Sequence, residues 1–416
     1  MRVWAPSAFA SVKGFIVEFR KAYIPYGSYW STPFCRWQGS FGHLHALRFG
    51  AEVAVTALAQ RKISAEVFDG IFLGLTVPQQ FSFYGGPWVA GLIGAPGITG
   101  PIISEACATS GKAISLAAMQ VEAGTHGCVL TLLCDRTSNS PHIYYPNPLA
   151  TGGVGKTEDW VWDNFGHDPY AKNSMVQTAE SVAGKAGIDR ATQDEVALMR
   201  YQQYQDALKD DSAFLKRYMV LPIEVKDPSG RKVVKTVGGD EGVFPTTAEG
   251  LAKLRPAIEG GTVTFGTQTY PADGNTGVIV TTRAKAAELS RDPNVVVRIV
   301  SYGQGRADKG FMPMANVPAT RQALARAGIT MQDVKAVKTH NPFAVNDIYF
   351  AREMGIEVSA MNRYGSSLVW GHPQAPTGAR LIIELIEELV LAGGGYGLFT
   401  GCAAGDTALA VVVRVD

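Results

Sequence analysis

Cys107, His372, Cys402 and His340 are the residues in this 416-residue sequence best suited to covalent acyl chemistry. Cys107 lies in Ser104-Glu105-Ala106-Cys107-Ala108-Thr109-Ser110-Gly111, between small residues and at a predicted loop-to-helix junction. The positive end of a helix and its free N–H groups favour a thiolate, so a nucleophilic thiol with a depressed pKa is expected there. Small neighbours let a carbonyl carbon approach the sulfur. His372, in Gly371-His372-Pro373, precedes a second predicted helix. Cys402 stands between a predicted strand and the turn Ala403-Ala404-Gly405-Asp406, and His340 follows the predicted strand Val334–Lys338. Taken singly, each has a plain structural reading: a free cysteine packs as a small hydrophobe, and a lone histidine usually fills a core position.

The elements that must position these side chains alternate between strand-like and helix-like runs, which predicts an α/β layered fold. His43–Lys62 reads as a helix with Leu44, Leu47, Ala51, Ala54 and Leu58 on one stripe. Val67–Leu75 reads as a strand, Ala108–Glu122 as a buried helix and Gly127–Cys134 as a central strand. From Ser138 to Gly261 charges and aromatics dominate, with surface helices expected in Ile188–Lys216 and a hairpin in Val225–Val237 turning at Asp227-Pro228-Ser229-Gly230. This stretch reads as an insertion capping a core. Strands are then predicted at Val278–Thr282, Val295–Tyr302, Val334–Lys338, Gly397–Cys402 and Thr407–Val415, with helices at Ala319–Gly328 and Thr377–Val390. The two halves echo each other: Ser110-Gly111 and Thr377-Gly378 each open a helix ending in Ala-Gly, followed by a strand that ends on a cysteine. A duplicated unit would place Cys107 and His372 at equivalent helix starts facing one shared space.

Composition sets bounds on function. A net charge of +1 supplies no field for nucleic acid or an anionic membrane. Pro6 and Lys13 interrupt any secretory signal, and the apolar stretches Trp88–Ile103 and Leu381–Leu391 are broken by Gly, Pro or Glu, so no membrane span is expected. The five cysteines form no CxxC pair, which argues against zinc and for free thiols in a reducing cytoplasm.

In their order and surroundings these residues resemble the thiolase family, over nearly the whole chain. Thr32-Pro33-Phe34 with Gly39-Ser40-Phe41, the Cys107 segment, Met175 with Thr178-Ala179-Glu180, Ala252-Lys253-Leu254-Arg255-Pro256-Ala257, Gly261-Thr262-Val263-Thr264 and Ala272-Asp273-Gly274 are similar to successive family motifs. Gly371-His372-Pro373 and Gly401-Cys402 complete the series. The chain departs from the family pattern at His340-Asn341-Pro342-Phe343, where many thiolases have Asn-Glu-Ala-Phe, and at Cys402-Ala403-Ala404, where Cys-x-Gly is usual.

The resemblance implies an α/β fold with a duplicated βαβαβαββ core in five layers, α-β-α-β-α, and an α/β loop-domain insertion. Residues 1–137 with 262–290 would form the N-terminal domain, 138–261 the insertion and 291–416 the C-terminal domain. It implies an acyltransferase using coenzyme A as co-substrate, without a metal. Cys107 would be nucleophile, His372 base, Cys402 the acid at the α-carbon and His340 a donor to the thioester oxygen, with the backbone N–H groups of Cys107 and Ala404 as oxyanion donors. Thr269 and Met175 would line the CoA and acyl site. Aromatics before the nucleophile (Phe81, Phe83, Tyr84, Trp88), in the insertion (Tyr144, Tyr145, Trp160, Trp162, Phe165, Tyr170) and at Trp370 suggest a pocket for a bulky aromatic 3-oxoacyl-CoA. Benzoylsuccinyl-CoA of anaerobic toluene degradation is the implied example, with Arg136, Lys156, Lys172 and Arg363 as candidates for its carboxylate. A homodimer and a small zinc-ribbon and OB-fold accessory subunit are the implied partners. A biosynthetic Claisen-condensing enzyme and a non-catalytic acyl-CoA or lipid-binding subunit of the same fold are the alternatives.

Overall fold

The computed structural model describes residues 18–416. The expectations for Pro6, Lys13 and the start of the N-terminal domain lie outside the described residues.

Two sets of strands repeat one pattern. In the first half, Gly70–Gly74 runs parallel to Cys128–Arg136, which pairs antiparallel with Ala272–Thr281 (Phe72 opposite Thr131, Thr131 opposite Val278). In the second, Val334–His340 runs parallel to Gly395–Ala403, which pairs antiparallel with Thr407–Val415 (Lys338 opposite Phe399, Phe399 opposite Val411). Val296–Arg306 continues the second set. The short strand Tyr23–Pro25 pairs with both Ala272–Thr281 and Val296–Arg306, so one hydrogen-bonded path runs through a sheet of 11 strands. The central strands are apolar on both faces because helices cover both; all ten residues of Ala272–Thr281 are buried.

The helices Thr109–Ala123 and Ala375–Leu391 pack on each other and touch strands of both halves. Ala46–Gln60 and Gly85–Leu92 cover the outer face of the first half, and Asn316–Ala327 that of the second. The order helix, half-sheet, paired helices, half-sheet, helix matches the five expected layers. At Gly378 a Cβ would lie 2.8 Å from the Phe399 ring and 3.3 Å from Ser110 Cβ, so glycine lets the paired helices approach near their N-termini. Ser110 Oγ donates across that contact to the Ala375 carbonyl.

In the second half, adjacent antiparallel strands are joined by the turn Ala404-Gly405-Asp406. The matching connection in the first half, residues 137–271, carries two hairpins and the helices Trp162–Gly166, Met175–Ala186, Arg190–Ala207, Lys209–Lys216 and Ala248–Ala252. The expected turn at Asp227 forms, with Gly230 N–H donating to the Asp227 carbonyl at 2.8 Å. The expectation of surface helices across Ile188–Lys216 is corrected. Arg190–Ala207 buries Gln193, Val196, Ala197, Arg200 and Tyr204, because its polar residues find partners in the core. Arg200 Nε meets Asp347 Oδ2 at 2.9 Å, and Tyr204 Oη donates to Asp240 Oδ2 at 2.9 Å.

Similar pairs tie the insertion to the central helix. Arg380, fully buried, reaches Asp240 at 2.7 and 2.8 Å and Glu384 at 3.0 Å, with its guanidinium 4.1 Å from the Trp370 ring centre. Glu387 accepts from Arg217 at 2.6 Å and from Tyr29 at 2.7 Å. The charges that interrupt the apolar run of this helix are thus buried and paired.

Candidate active site

The turn before Thr109–Ala123 presents Cys107. Ala106 sits at φ +45°, a left-handed conformation that costs a non-glycine residue about 1–3 kcal/mol and persists only where its surroundings hold it. Thr109 supplies the hold: its hydroxyl accepts from Glu105 N–H at 2.8 Å and donates to the Ala106 carbonyl at 2.7 Å. Cys107 keeps partial exposure, whereas Cys402 is wholly buried.

His372 arrives from the other half of the chain. Its backbone N–H donates to the Tyr270 carbonyl at 2.9 Å and its carbonyl accepts from Ala272 at 3.3 Å, which stitches the loop to a first-half strand. Gly371, at φ +90°, passes so close to Tyr270 that a Cβ would lie 2.7 Å from that ring. His372 Nε2 is 3.1 Å from Cys107 Sγ, and Nδ1 is 2.6 Å from Thr377 Oγ1, one turn into the helix. With a thiol on one ring nitrogen and a hydroxyl on the other, the imidazole is oriented as a base.

Burial pushes the Cys107 thiol up to about 12, against the opposing pull of the Ala404 and Cys107 backbone N–H groups; the nearby Asp135 adds to the rise. Burial, and then the neighbouring His340, hold His372 well below its ordinary value. Desolvation thus opposes the helix end at this thiol, in the direction opposite to the depression expected from the sequence. The Ala404 N–H is near enough to the sulfur to pull on the thiolate, although Ala404 replaces the usual glycine.

His340 ends its strand with its ring centre 4.1 Å from that of His372. The Cys107, His340 and His372 ligand atoms all lie within 4.8 Å of one another. This is a donor set a soft divalent cation would also accept, assembled from residues too far apart in sequence for chelate spacing to reveal. His340 Nδ1 is 2.8 Å from Ser367 Oγ, while Nε2 is buried without a partner. Ser367 Oγ also lies 3.1 Å from Asn341 Oδ1, which accepts its proton; Nε2 carries the hydrogen, and is a donor aimed into the site, only in the arrangement where that proton goes to Nδ1 instead. Burial lowers His340 to about 3, so it stays neutral. Cys402 receives a hydrogen bond from Asn346 Nδ2 at 3.2 Å; burial, then proximity to Cys107, raise its pKa.

A buried network fixes the His340 loop. Asp347 accepts from Thr339 at 2.5 Å, Asn341 at 2.6 Å and Arg200 at 2.9 Å. Asp135 fixes the His372 side, accepting from Thr76 N–H (2.9 Å) and hydroxyl (2.7 Å), Val77 N–H (3.0 Å) and Ala375 N–H (2.8 Å). Burial still raises it to about 7. Sequence patterns point to no site role for Thr377, Ser367, Asn346, Asp347, Arg200 or Asp135. Thr377 and Ser367, each five residues from His372, and Asn346 and Asp347, six and seven past His340, stand at separations that a local pattern could carry; Arg200 and Asp135 do not.

A cavity of about 340 Å³ opens between the insertion and the second half, lined among others by Tyr201, Phe244, Phe265, Tyr270, Leu368 and Val369. Thr269 lies beside it, but its N–H bonds the Pro342 carbonyl at 2.7 Å and its hydroxyl the Ser367 carbonyl at 2.5 Å, so it braces the loops. Met175 stands in the first turn of its helix, packed against the core cluster that contains Cys402. Trp370 is buried between Arg380 and Phe34 and belongs to the core, which corrects its reading as a pocket residue. Phe81, Phe83, Tyr84, Tyr144, Tyr145, Trp162 and Tyr170 are exposed. Arg136 spends its guanidinium on the Leu44 and Asn139 carbonyls.

Comparison with known proteins gives matches of similar extent. The "Thiolase, N-terminal domain" model matches residues 28–284 and the "Thiolase, C-terminal domain" model residues 293–415. The chain is 30% identical to beta-ketothiolase BktB of Cupriavidus necator over 90% of this chain and 94% of that protein. It is 28% identical to an acetyl-CoA acetyltransferase of Syntrophomonas wolfei, over 92% and 96%. Crystal structures of human mitochondrial 3-ketoacyl-CoA thiolase, alone and in complex with CoA, superpose with a TM-score of 0.86 at 27% identity, covering 96% of this chain and 100% and 99% of those. Two family models that together span residues 28–284 and 293–415, and relatives matched over nine-tenths of the chain, agree, and the chain belongs to the thiolase family.

Proposed function

We propose that the chain cleaves a 3-oxoacyl-CoA with a second CoA through an acyl-Cys107 intermediate. The observation that carries this reading is the 3.1 Å contact between Cys107 Sγ and His372 Nε2, two residues 265 apart in sequence. His372 takes the thiol proton as sulfur bonds to the 3-oxo carbon, so the thiolate forms only during attack. The backbone N–H groups of Cys107 and Ala404 hold the resulting oxyanion. When the C2–C3 bond breaks, its electron pair moves onto the thioester oxygen, facing His340 Nε2. Cys402 then protonates C2, and the CoA thioester that carries C1 and C2 leaves. The incoming CoA gives its thiol proton to the Cys402 thiolate and attacks the acyl carbon; the bond from that carbon to Cys107 Sγ breaks, the shortened acyl-CoA is released, and Cys107 recovers its proton from His372. The reverse sequence is a Claisen condensation.

The substrate we infer is bulky and aromatic, as in thiolysis of benzoylsuccinyl-CoA to benzoyl-CoA and succinyl-CoA. The aromatic lining of the cavity between the insertion and the second half (Tyr201, Phe244, Phe265, Tyr270) supports it; Cys107 and His372 do not themselves line that cavity. A homodimer is supported by exposed Phe81, Phe83, Tyr84 and Leu92 near the strand Ile102–Ile103 at the end of the sheet. A zinc-ribbon and OB-fold subunit would be sought by co-purification. Domain limits of 1–137 with 262–290, 138–261 and 291–416 accord with family models that part between residues 284 and 293. Among the described residues no helix is long and apolar enough to cross a membrane. The test is thiolysis of benzoylsuccinyl-CoA against a linear 3-oxoacyl-CoA panel. Wild-type-like activity in Cys107→Ala would end the mechanism, and a preference for linear chains would end the aromatic assignment.

A further inference from the structure

Gln374 lies two residues past His372, and nothing in the mechanism above uses it. Its backbone adopts φ +58°, ψ −101°, a conformation natural to glycine at the first central position of a type II′ turn and costly for any residue with a side chain. The neighbours hold it there. Asp135 binds the next backbone N–H at 2.8 Å, Ser110 binds the next carbonyl, and Thr377 N–H bonds the Gln374 carbonyl at 3.2 Å. The result is a side chain only 6% exposed, with its amide oxygen 3.6 Å from Cys107 Sγ. Its Nε2 makes no hydrogen bond to the described residues and keeps a small opening to the site, since it is not among the fully enclosed side-chain atoms that lack a partner.

A carboxamide this close to the nucleophile touches whatever the sulfur attacks. An acyl carbon bonded to Sγ sits within about 2 Å of it, and substituents on the next carbon fall within reach of the amide. The amide oxygen is an alternative acceptor, more distant than His372 Nε2, for the single hydrogen of the resting thiol. Its N–H₂ group suits an oxygen acceptor on an arriving substrate. The fully buried cations of the core are already matched, Arg200 to Asp347, Arg380 to Asp240 and Lys338 to Glu388.

We propose that Gln374 determines acyl specificity by donating from its amide to an oxygen carried on a branch at C2 of the substrate, such as a carboxymethyl group. The inference rests on the reading of Cys107 as the attacking thiol. A polar branch is then preferred over an alkyl branch of the same size, because the alkyl group would leave a buried amide unpaired.

The test is kcat/KM for thiolysis of three 3-oxoacyl-CoA thioesters that differ only at C2: carboxymethyl, carbamoylmethyl and isobutyl. Acetoacetyl-CoA is run alongside. Wild type should favour both oxygen-bearing branches over isobutyl. Gln374→Leu should cut those two ratios by on the order of 10- to 100-fold. Gln374→Glu should selectively penalise carboxymethyl through charge repulsion. Gln374→Gly should lose the selectivity while raising Tm, since it relieves the backbone; a purely structural role would move Tm and leave the ratios alone. Unchanged ratios in Gln374→Leu and Gln374→Gly, or equal losses on all three substrates, overturn the proposal. A wild type that thiolyses acetoacetyl-CoA yet ranks the three branches equally overturns it alone, and one inactive on all four substrates overturns the thiol assignment with it.

Discussion

The protonation state of the Cys107 and His372 pair can be read from the pH dependence of alkylation in the free enzyme. Burial raises the thiol to about 12, about three units above its ordinary value, equivalent to roughly 4 kcal/mol against the thiolate. Cys107 retains partial exposure, so solvent screening makes that figure a ceiling. His372 is held low and cannot offset the cost by staying protonated. At pH 8 the thiolate fraction is then on the order of 10⁻⁴, against roughly a tenth for an ordinary thiol. The assay is inactivation by iodoacetamide from pH 6 to 10, with peptide mass mapping to assign the label to Cys107. The rate should climb about tenfold per pH unit through pH 9 with no plateau. A plateau below pH 8 that vanishes in His372→Ala would refute the reasoning, because it would reveal a thiolate–imidazolium pair formed before substrate arrives.

Three further outcomes follow from the same geometry. Thr377→Val removes the partner of His372 Nδ1, and kcat/KM for thiolysis should fall roughly 10- to 100-fold, with rescue by Thr377→Ser; an unchanged rate would remove Thr377 from the site. Cys402→Ala should still accumulate acyl-Cys107, seen by intact mass, while losing deuterium exchange at the α-carbon of an acyl-CoA; retained exchange would assign the proton to another group. Asp240→Ala leaves Arg380 short of its strongest partner, and unfolding free energy in a denaturant titration should drop by about 3–5 kcal/mol. A loss under 1 kcal/mol would mean that water or Glu384 satisfies the guanidinium.

Much of the framework is written locally. Helix and strand periodicities are set within a dozen residues, so Thr109–Ala123, Asn316–Ala327, Ala375–Leu391 and Thr407–Val415 lie close to where the patterns put them. Gly328 ends its helix at φ +68°, as its position suggested. Arg190–Ala207 was misjudged because its polar residues look solvated until Asp347 and Asp240, distant in sequence, are seen to meet them. Trp370 was misjudged likewise, since its neighbour Arg380 is itself buried.

By itself, then, the sequence determined the alternation of elements and the echo between its halves, and it singled out Cys107, His372, Cys402 and His340 as candidates through the order of motifs that resembles the thiolase family. Tertiary structure alone decided that Cys107 and His372 stand 3.1 Å apart, that the thiol is raised and not lowered, and that Gln374 is turned toward the sulfur. The physical reason is that desolvation and contact are properties of the assembled halves. A residue's cost of carrying charge depends on what surrounds it in space, and that surrounding comes from segments more than two hundred residues away.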